Sequence, residues 1–337
     1  MAIRIGIMGF GRIGRNIFRI LHTREDIQVV AIADIVEPEA LEYLLRFDTV
    51  HGRFPDPIAA KGDSLYVKGQ QIRLIQGKQP GDVPWKDFGA DIVVEASTKY
   101  KTKAFLQKHI EKGAKRVILT LPADDEIDAV IVRGVNDDQL KSHHRVISAS
   151  SITTNCAALI LKILDHAFGI EKAFITTVHA YTNAQRLADV PNTDLRQSRA
   201  AAENIIPTTT WVPEAISKVL PQMTGKIDCM AMNVPVSDGS LVDVVSHTKD
   251  PVTVEAVNEV VKSAAGSQYK DIVAYMDEPI VSSDVIADSH SAIFDSLATQ
   301  VIGRHLVKTI AWYDNGWGYA HRIVELIQQL ASFERNP

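Results

Sequence analysis

The sequence predicts an α/β protein in two domains: a doubly wound parallel sheet over residues 1–151, then an α+β domain with a mixed or antiparallel sheet over 152–315. Three observations carry that prediction. Short apolar runs alternate with helix-period segments through the first half, the rhythm of a parallel sheet covered by helices on both faces. A Gly-x-Gly-x-x-Gly turn joins the first run to the first helix, where a doubly wound sheet needs it. Beyond residue 151 the texture changes to longer strand-like runs with helices between them.

In chain order, IRIGIMGF at 3–10 opens the sheet, RNIFRILHTR at 15–24 follows as a helix, and IQVVAIAD at 27–34 reads as the next buried strand. DIVVEAS at 91–97, KRVILTLP at 115–122 and HRVISAS at 144–150 are further buried strands, with KAFLQKHIEKG at 103–113 as a helix among them. In the second domain AFITTVHAYT at 173–182, CMAMNVPV at 229–236 and LVDVVSHTK at 241–249 are the strand-like runs. YAHRIVELIQQLASF carries apolar residues at helical spacing, so a last helix over about 316–337 is expected to return to the first domain.

Composition narrows the function class. With 36 Lys plus Arg against 41 Asp plus Glu, the net charge of -5 leaves no electrostatic footprint for nucleic acid or an anionic membrane. No apolar run reaches the roughly 18 residues that span a bilayer, and the N-terminus lacks a signal-peptide pattern, so a cytoplasmic location is expected. Cys156 and Cys229 form neither a disulfide framework nor a metal-ligand pattern, and both read as small core residues. His143 and His144 have no Cys or carboxylate at ligand spacing and read as a solvated turn; no metal is expected.

The glycine turn is Gly9-Phe10-Gly11-Arg12-Ile13-Gly14. Gly9 permits the tight turn, Gly11 lets the backbone approach a pyrophosphate, and Gly14 allows close helix packing: a Rossmann dinucleotide fingerprint. Asp34 stands 20 residues after Gly14, at the end of the second strand, where a carboxylate binds the adenosine ribose hydroxyls. Its charge would repel a 2'-phosphate, and the adjacent Ile35 offers no compensating cation, so NAD is favoured over NADP.

Seven stretches in this order resemble the phosphorylating glyceraldehyde-3-phosphate dehydrogenase family over essentially the whole chain: GFGRIGR, GAKRVILTLPA, SxTTNC at 151–156, TTVHAYTNAQR, DLRQSRAAAENIIPTTT, VSSD and WYDNGWGY. The resemblance implies NAD as cofactor, a catalytic second domain, a homotetramer, and a loop at about 181–204 lying near a neighbouring subunit's cofactor. It implies cofactor contacts from Asn315, and it brings Thr120 and Pro122 near the nicotinamide end. In that family a cysteine at the start of the helix opening the second domain is activated by the helix and by a histidine, attacks the aldehyde, and forms a thioester that phosphate cleaves. Aligned without a gap, that cysteine falls on Ile152, a hydrocarbon that cannot form a thioester.

His179 stands at the general-base position. Ser151, Thr153, Thr182, Arg199 and Thr210 match positions near or on the substrate and inorganic-phosphate sites. Asn233 stands where the family has a phosphate-clamping arginine, Trp211 and Thr98 where it has glycines, and Glu214 where it has lysine. Cys156, four positions after Ile152, lies a helical turn deeper, roughly 6 Å along the axis, and does not replace the nucleophile. The expected function is therefore an NAD-dependent oxidoreductase acting on the aldehyde or alcohol group of a small, still phosphorylated or less phosphorylated substrate, with no thioester. The alternative is a catalytically silent, NAD-binding relative with a structural or regulatory role.

Overall fold

The computed structural model describes residues 2–335, apart from the side chain of Arg335. The described residues divide into two compact units: 2–131, 137–150 and 320–335 form the first, and 132–136 with 151–319 form the second. Among the described residues no helix is long and apolar enough to cross a membrane.

The first unit is built on a nine-stranded sheet. Its strands run, edge to edge, Ala129–Val130, Val146–Ser148, Arg116–Leu119, Ile92–Glu95, Ile3–Met8, Ile27–Asp34, Gln70–Gln76, Ser64–Val67 and Ile58–Lys61. All pairings are parallel up to Gln70–Gln76, and the last two strands continue the sheet antiparallel. Those two, four residues each, are too short to show a period in the sequence. The central strands read as continuous apolar runs because both faces are covered: Ile5, Ile7, Ile32, Val93, Val94 and Ile118 are fully buried. From residue 320 on, the helix Trp317–Arg335 supplies the unit's last element, with Gln328 donating to Asp26 at 3.1 Å and Arg116 to Glu334 at 2.6 Å.

Strand order decides where this unit can bind a ligand. Ile3–Met8 pairs with Ile27–Asp34 on one side, and the chain returns to its other side only with Ile92–Glu95. That reversal opens a crevice beyond the carboxyl ends of the two strands, the position at which doubly wound sheets bind their ligands.

The second unit holds a seven-stranded mixed sheet, ordered Ile206–Thr208, Ile227–Val234, Ile170–Ala180, Ser240–Thr248, Leu306–Tyr313, Ala292–Ile302 and Val273–Met276. Its helix Ile152–Phe168 packs on the four strands from Ile170–Ala180 to Ala292–Ile302 and between the helices Val212–Val219 and Val254–Gly266. Leu159, Ile160, Leu161, Ile163 and Leu164 are buried along it, each worth on the order of 2 kcal/mol in water removed from apolar surface. That burial fixes the helix, and with it the position of its first residue.

Candidate functional site

The first unit's crevice is made by glycines that do different jobs. Gly9 has φ +90°, and a Cβ there would fall 2.5 Å from the backbone of Ser97, so the turn after the first strand lies directly against the turn after Ile92–Glu95. A Cβ on Gly14 would meet the Gly9 carbonyl at 2.2 Å, which ties the helix Arg12–Leu21 to the loop. Gly11 differs: its φ of -69° is ordinary, and nothing lies within 4 Å of where its Cβ would be. The space over Gly11 is kept open although the fold does not need it.

The remaining groups suit an anionic, ribose-bearing ligand. The helix Arg12–Leu21 begins without a side-chain cap and without an acidic residue in its first turn, so the positive end of its dipole favours a phosphate there. Arg12 and Ile13, in that first turn, are half-buried. Asp34 accepts from the Phe10 amide at 2.6 Å with one oxygen and from Ile35 and Val36 at 2.7 and 3.2 Å with the other. The carboxylate thus ties the glycine loop to the second strand's end. Thr120 is buried, and both its amide and its hydroxyl donate to the Glu95 carbonyl at 3.1 Å. Pro122 is half-buried two residues on.

In the second unit the helix start and two strand ends carry the predicted residues. Ser151 is the N-cap: its Oγ accepts from the Thr154 amide at 3.0 Å and lies 2.6 Å from the Thr154 hydroxyl. That role accounts for the serine without any nucleophilic use of it. Ile152 is the first helical residue and is half-buried. Thr153 faces the core, where its hydroxyl lies 2.9 Å from that of Tyr313. Burial pushes the Tyr313 phenol above its ordinary range, so it remains a neutral partner. Cys156 is completely buried, its Sγ 3.9 Å from the Ala311 carbonyl, and burial raises its thiol far above the ordinary value. Cys229 is half-buried on its strand, not in the core, and burial with the charges of Asp228 and Glu214 pushes its thiol up to about 12.

His179 is the penultimate residue of the strand Ile170–Ala180, with Nδ1 2.6 Å from the Ala180 carbonyl. A carbonyl only accepts, so Nδ1 carries the proton and the lone pair is on Nε2. The Asn315 amide nitrogen is 3.4 Å from Nδ1 and 3.3 Å from Nε2, nearly equidistant, which sets it over the ring face. Asn315 is itself held: its Oδ1 accepts from Ser240 at 2.8 Å and its backbone N–H donates to Asp238 at 2.8 Å. Asp238 and Ser240 belong to a run, VSDGS, that the sequence reading passes over. Asn233 is buried and stands opposite His179 in strand register.

Of the other predicted residues, Thr182 and Arg199 are exposed and Thr210 is half-buried. Thr182 is exposed and bonds Gln185. Arg199 is exposed and pairs with Asp189 at 3.1 Å. Thr210 receives the Val212 amide at 3.3 Å, and beside it the Trp211 side chain is 80% exposed. Glu214 is exposed in the first turn of the helix Val212–Val219.

Comparison with known proteins decides the lineage. Residues 3–103 match the model of the glyceraldehyde 3-phosphate dehydrogenase NAD binding domain, and residues 151–315 match that of the C-terminal domain. Glyceraldehyde-3-phosphate dehydrogenase 2 of Bacillus subtilis (strain 168) is 47% identical over 338 residues, spanning 100% of this chain and 99% of its own. The chain belongs to the glyceraldehyde-3-phosphate dehydrogenase family. The glyceraldehyde-3-phosphate dehydrogenases of Geobacillus stearothermophilus, 46% identical over 98% of this chain and 99% of its own, and of Mycobacterium avium, 44% identical over 97% and 98%, are similar throughout. As a glyceraldehyde-3-phosphate dehydrogenase family member the chain is an NAD-dependent oxidoreductase by descent, and its cofactor is NAD. The open space over Gly11, the uncapped helix start and Asp34 fit that cofactor.

Proposed function

We propose that the protein moves hydride between NAD and an aldehyde or alcohol carbon of a small substrate without a thioester intermediate. The observation that carries this reading is Ile152 as the first residue of the buried helix Ile152–Phe168, at the position where the family resemblance expects a thiol. The remaining thiols supply no substitute, since Cys156 is completely buried and Cys229 is pushed up to about 12. Bound NAD supplies the hydride acceptor. Gly9, Phe10, Gly11, Arg12, Ile13 and Gly14 would hold its pyrophosphate, Asp34 its ribose, and Thr120 and Asn315 would serve its nicotinamide end. His179 Nε2 takes the hydroxyl proton of an alcohol or an aldehyde hydrate, with Nδ1 anchored on the Ala180 carbonyl. Ile152 is an apolar wall that keeps water from the reacting carbon. Ser151, Thr153, Thr182, Arg199, Thr210 and Asn233 are the substrate-side set; Asn233 in place of an arginine and the exposed Trp211 support a substrate with less phosphate than the family's own.

The test is a panel of alcohols, aldehydes and hydroxy acids followed by NADH formation, with His179→Ala beside the parent. Turnover that falls at least 100-fold in His179→Ala, the scale of a lost general base, supports the reading. A panel with no turnover, and a variant that binds NAD like the parent, favours a silent NAD-binding relative with a structural or regulatory role. We further propose that the protein assembles as a homotetramer, supported by apolar side chains left exposed on the second unit: Phe174 at 68%, Met230 at 46%, and Leu187 and Leu195 above 80%.

A further inference from the structure

Beneath the first unit's crevice lies a buried polar chain that the cofactor reading does not use. Trp85, His109 and Glu95 are all but inaccessible to solvent. The Trp85 indole N–H donates to His109 Nδ1 at 2.9 Å, and His109 Nε2 lies 3.0 Å from one oxygen of Glu95. The other Glu95 oxygen accepts from the Ser97 amide at 2.8 Å. An indole nitrogen can only donate, so His109 Nδ1 is the acceptor and Nε2 carries the proton given to Glu95. Each link is thereby assigned one direction: Trp85 to His109, His109 to Glu95, and Ser97 back to Glu95.

What this chain holds is a strained turn. Thr98, one residue beyond Ser97, has φ +67°, a conformation that β-branched residues rarely adopt. The same turn abuts Gly9, whose Cβ would lie 2.5 Å from Ser97, and the Ala96 amide donates to the Met8 carbonyl at 2.7 Å. Ser97 and Thr98 therefore form the wall of the crevice facing the glycine loop, at the point where strand order reverses.

We propose that Trp85, His109 and Glu95 are positioning residues for NAD: a buried relay that keeps the Ser97–Thr98 wall in its left-handed turn and so sets cofactor affinity without touching the cofactor. It rests on NAD binding alone and not on the reaction proposed above. The carboxylate is essential to the relay because two donors converge on its two oxygens. An amide offers one accepting oxygen and turns its own N–H against the other donor.

The experiment is NAD titration calorimetry on full-length parent, Glu95→Gln, Thr98→Gly and the double variant, with thermal unfolding of each without NAD. Glu95→Gln is expected to weaken NAD binding roughly tenfold, the scale of one buried donor left unpaired. Thr98→Gly in that background is expected to restore most of the loss, because glycine takes a positive φ without being held there. A merely structural Glu95 would not be rescued at an exposed position that adds no packing. Should Glu95→Gln fail to fold, His109→Leu, which leaves the carboxylate in place and removes one donor, is read with and without Thr98→Gly in the same way. Parent-like affinity in the relay variant, or a loss that Thr98→Gly does not reverse, overturns the proposal.

Discussion

Gly11→Ala separates a glycine kept for the ligand from glycines kept for the fold. Gly11 has φ -69°, which alanine adopts freely, and its Cβ would meet nothing within 4 Å. Two small effects on stability oppose each other: alanine is poorer than glycine as a helix N-cap, by about 0.5–1 kcal/mol, whereas it restricts the unfolded chain by about 0.4–1 kcal/mol. The melting temperature without NAD should stay within about 3 °C of the parent. The added methyl, however, fills the space through which the backbone approaches a pyrophosphate. Losing one or two charge-assisted hydrogen bonds to the helix start costs about 2–4 kcal/mol, a roughly 30- to 1000-fold weaker dissociation constant. Calorimetric titration with NAD and melting with and without NAD read both quantities. Gly14→Ala is the contrast, since its Cβ would lie 2.2 Å from the Gly9 carbonyl, and it should unfold the loop even without ligand. A Gly11→Ala protein that melts more than about 5 °C below the parent, or that binds NAD within twofold of it, would refute the assignment.

Other outcomes follow from the same geometry. Asp34→Asn keeps a side-chain oxygen for one set of backbone amides but removes the charge, so NAD binding should weaken while the preference for NAD over NADP narrows; an unchanged ratio contradicts the ribose-side role. Ser151→Ala removes the cap of the helix Ile152–Phe168 and should cost about 1 kcal/mol in denaturant unfolding, with Ser151→Asp close to the parent. Cys229, pushed up from 9.0 to about 12, keeps its proton in the folded state where the unfolded chain has lost it. Its contribution to stability is thus fully present below pH 9 and is lost as pH rises toward about 12. Correspondingly, neither cysteine should react with a thiol reagent at pH 8 until the protein unfolds; fast labelling of the folded protein contradicts the burial argument.

The first unit was legible because its signals are local. Its central strands are buried on both faces and read as unbroken apolar runs, and the glycine turn states its own place between strand and helix. The antiparallel strands Ile58–Lys61 and Ser64–Val67 escaped that reading because four residues carry no period. Ser151, which the resemblance puts near the substrate and phosphate sites, is also the N-cap of the helix, a role that a serine just before a helical run signals. The sequence also cannot announce long-range satisfaction of buried polar groups. Glu95 ends an apolar strand and His109 sits in a helix 14 residues on, so their bond appears only when strand and helix are packed. Thr98, noted in the sequence as a departure from glycine, becomes intelligible only through its positive φ, and Asp238 and Ser240 only through the Asn315 they hold.

The most direct test of the central claim is a rapid-mixing measurement of NADH formed by the parent and by Ile152→Cys with NAD and glyceraldehyde 3-phosphate, with and without inorganic phosphate. Thioester formation needs the thiol but not the inorganic phosphate, so the variant should give a burst approaching one NADH per subunit while the parent gives none. A burst from the parent, or turnover by the parent that depends on inorganic phosphate, would contradict the claim that no thioester forms with Ile152 at the helix start.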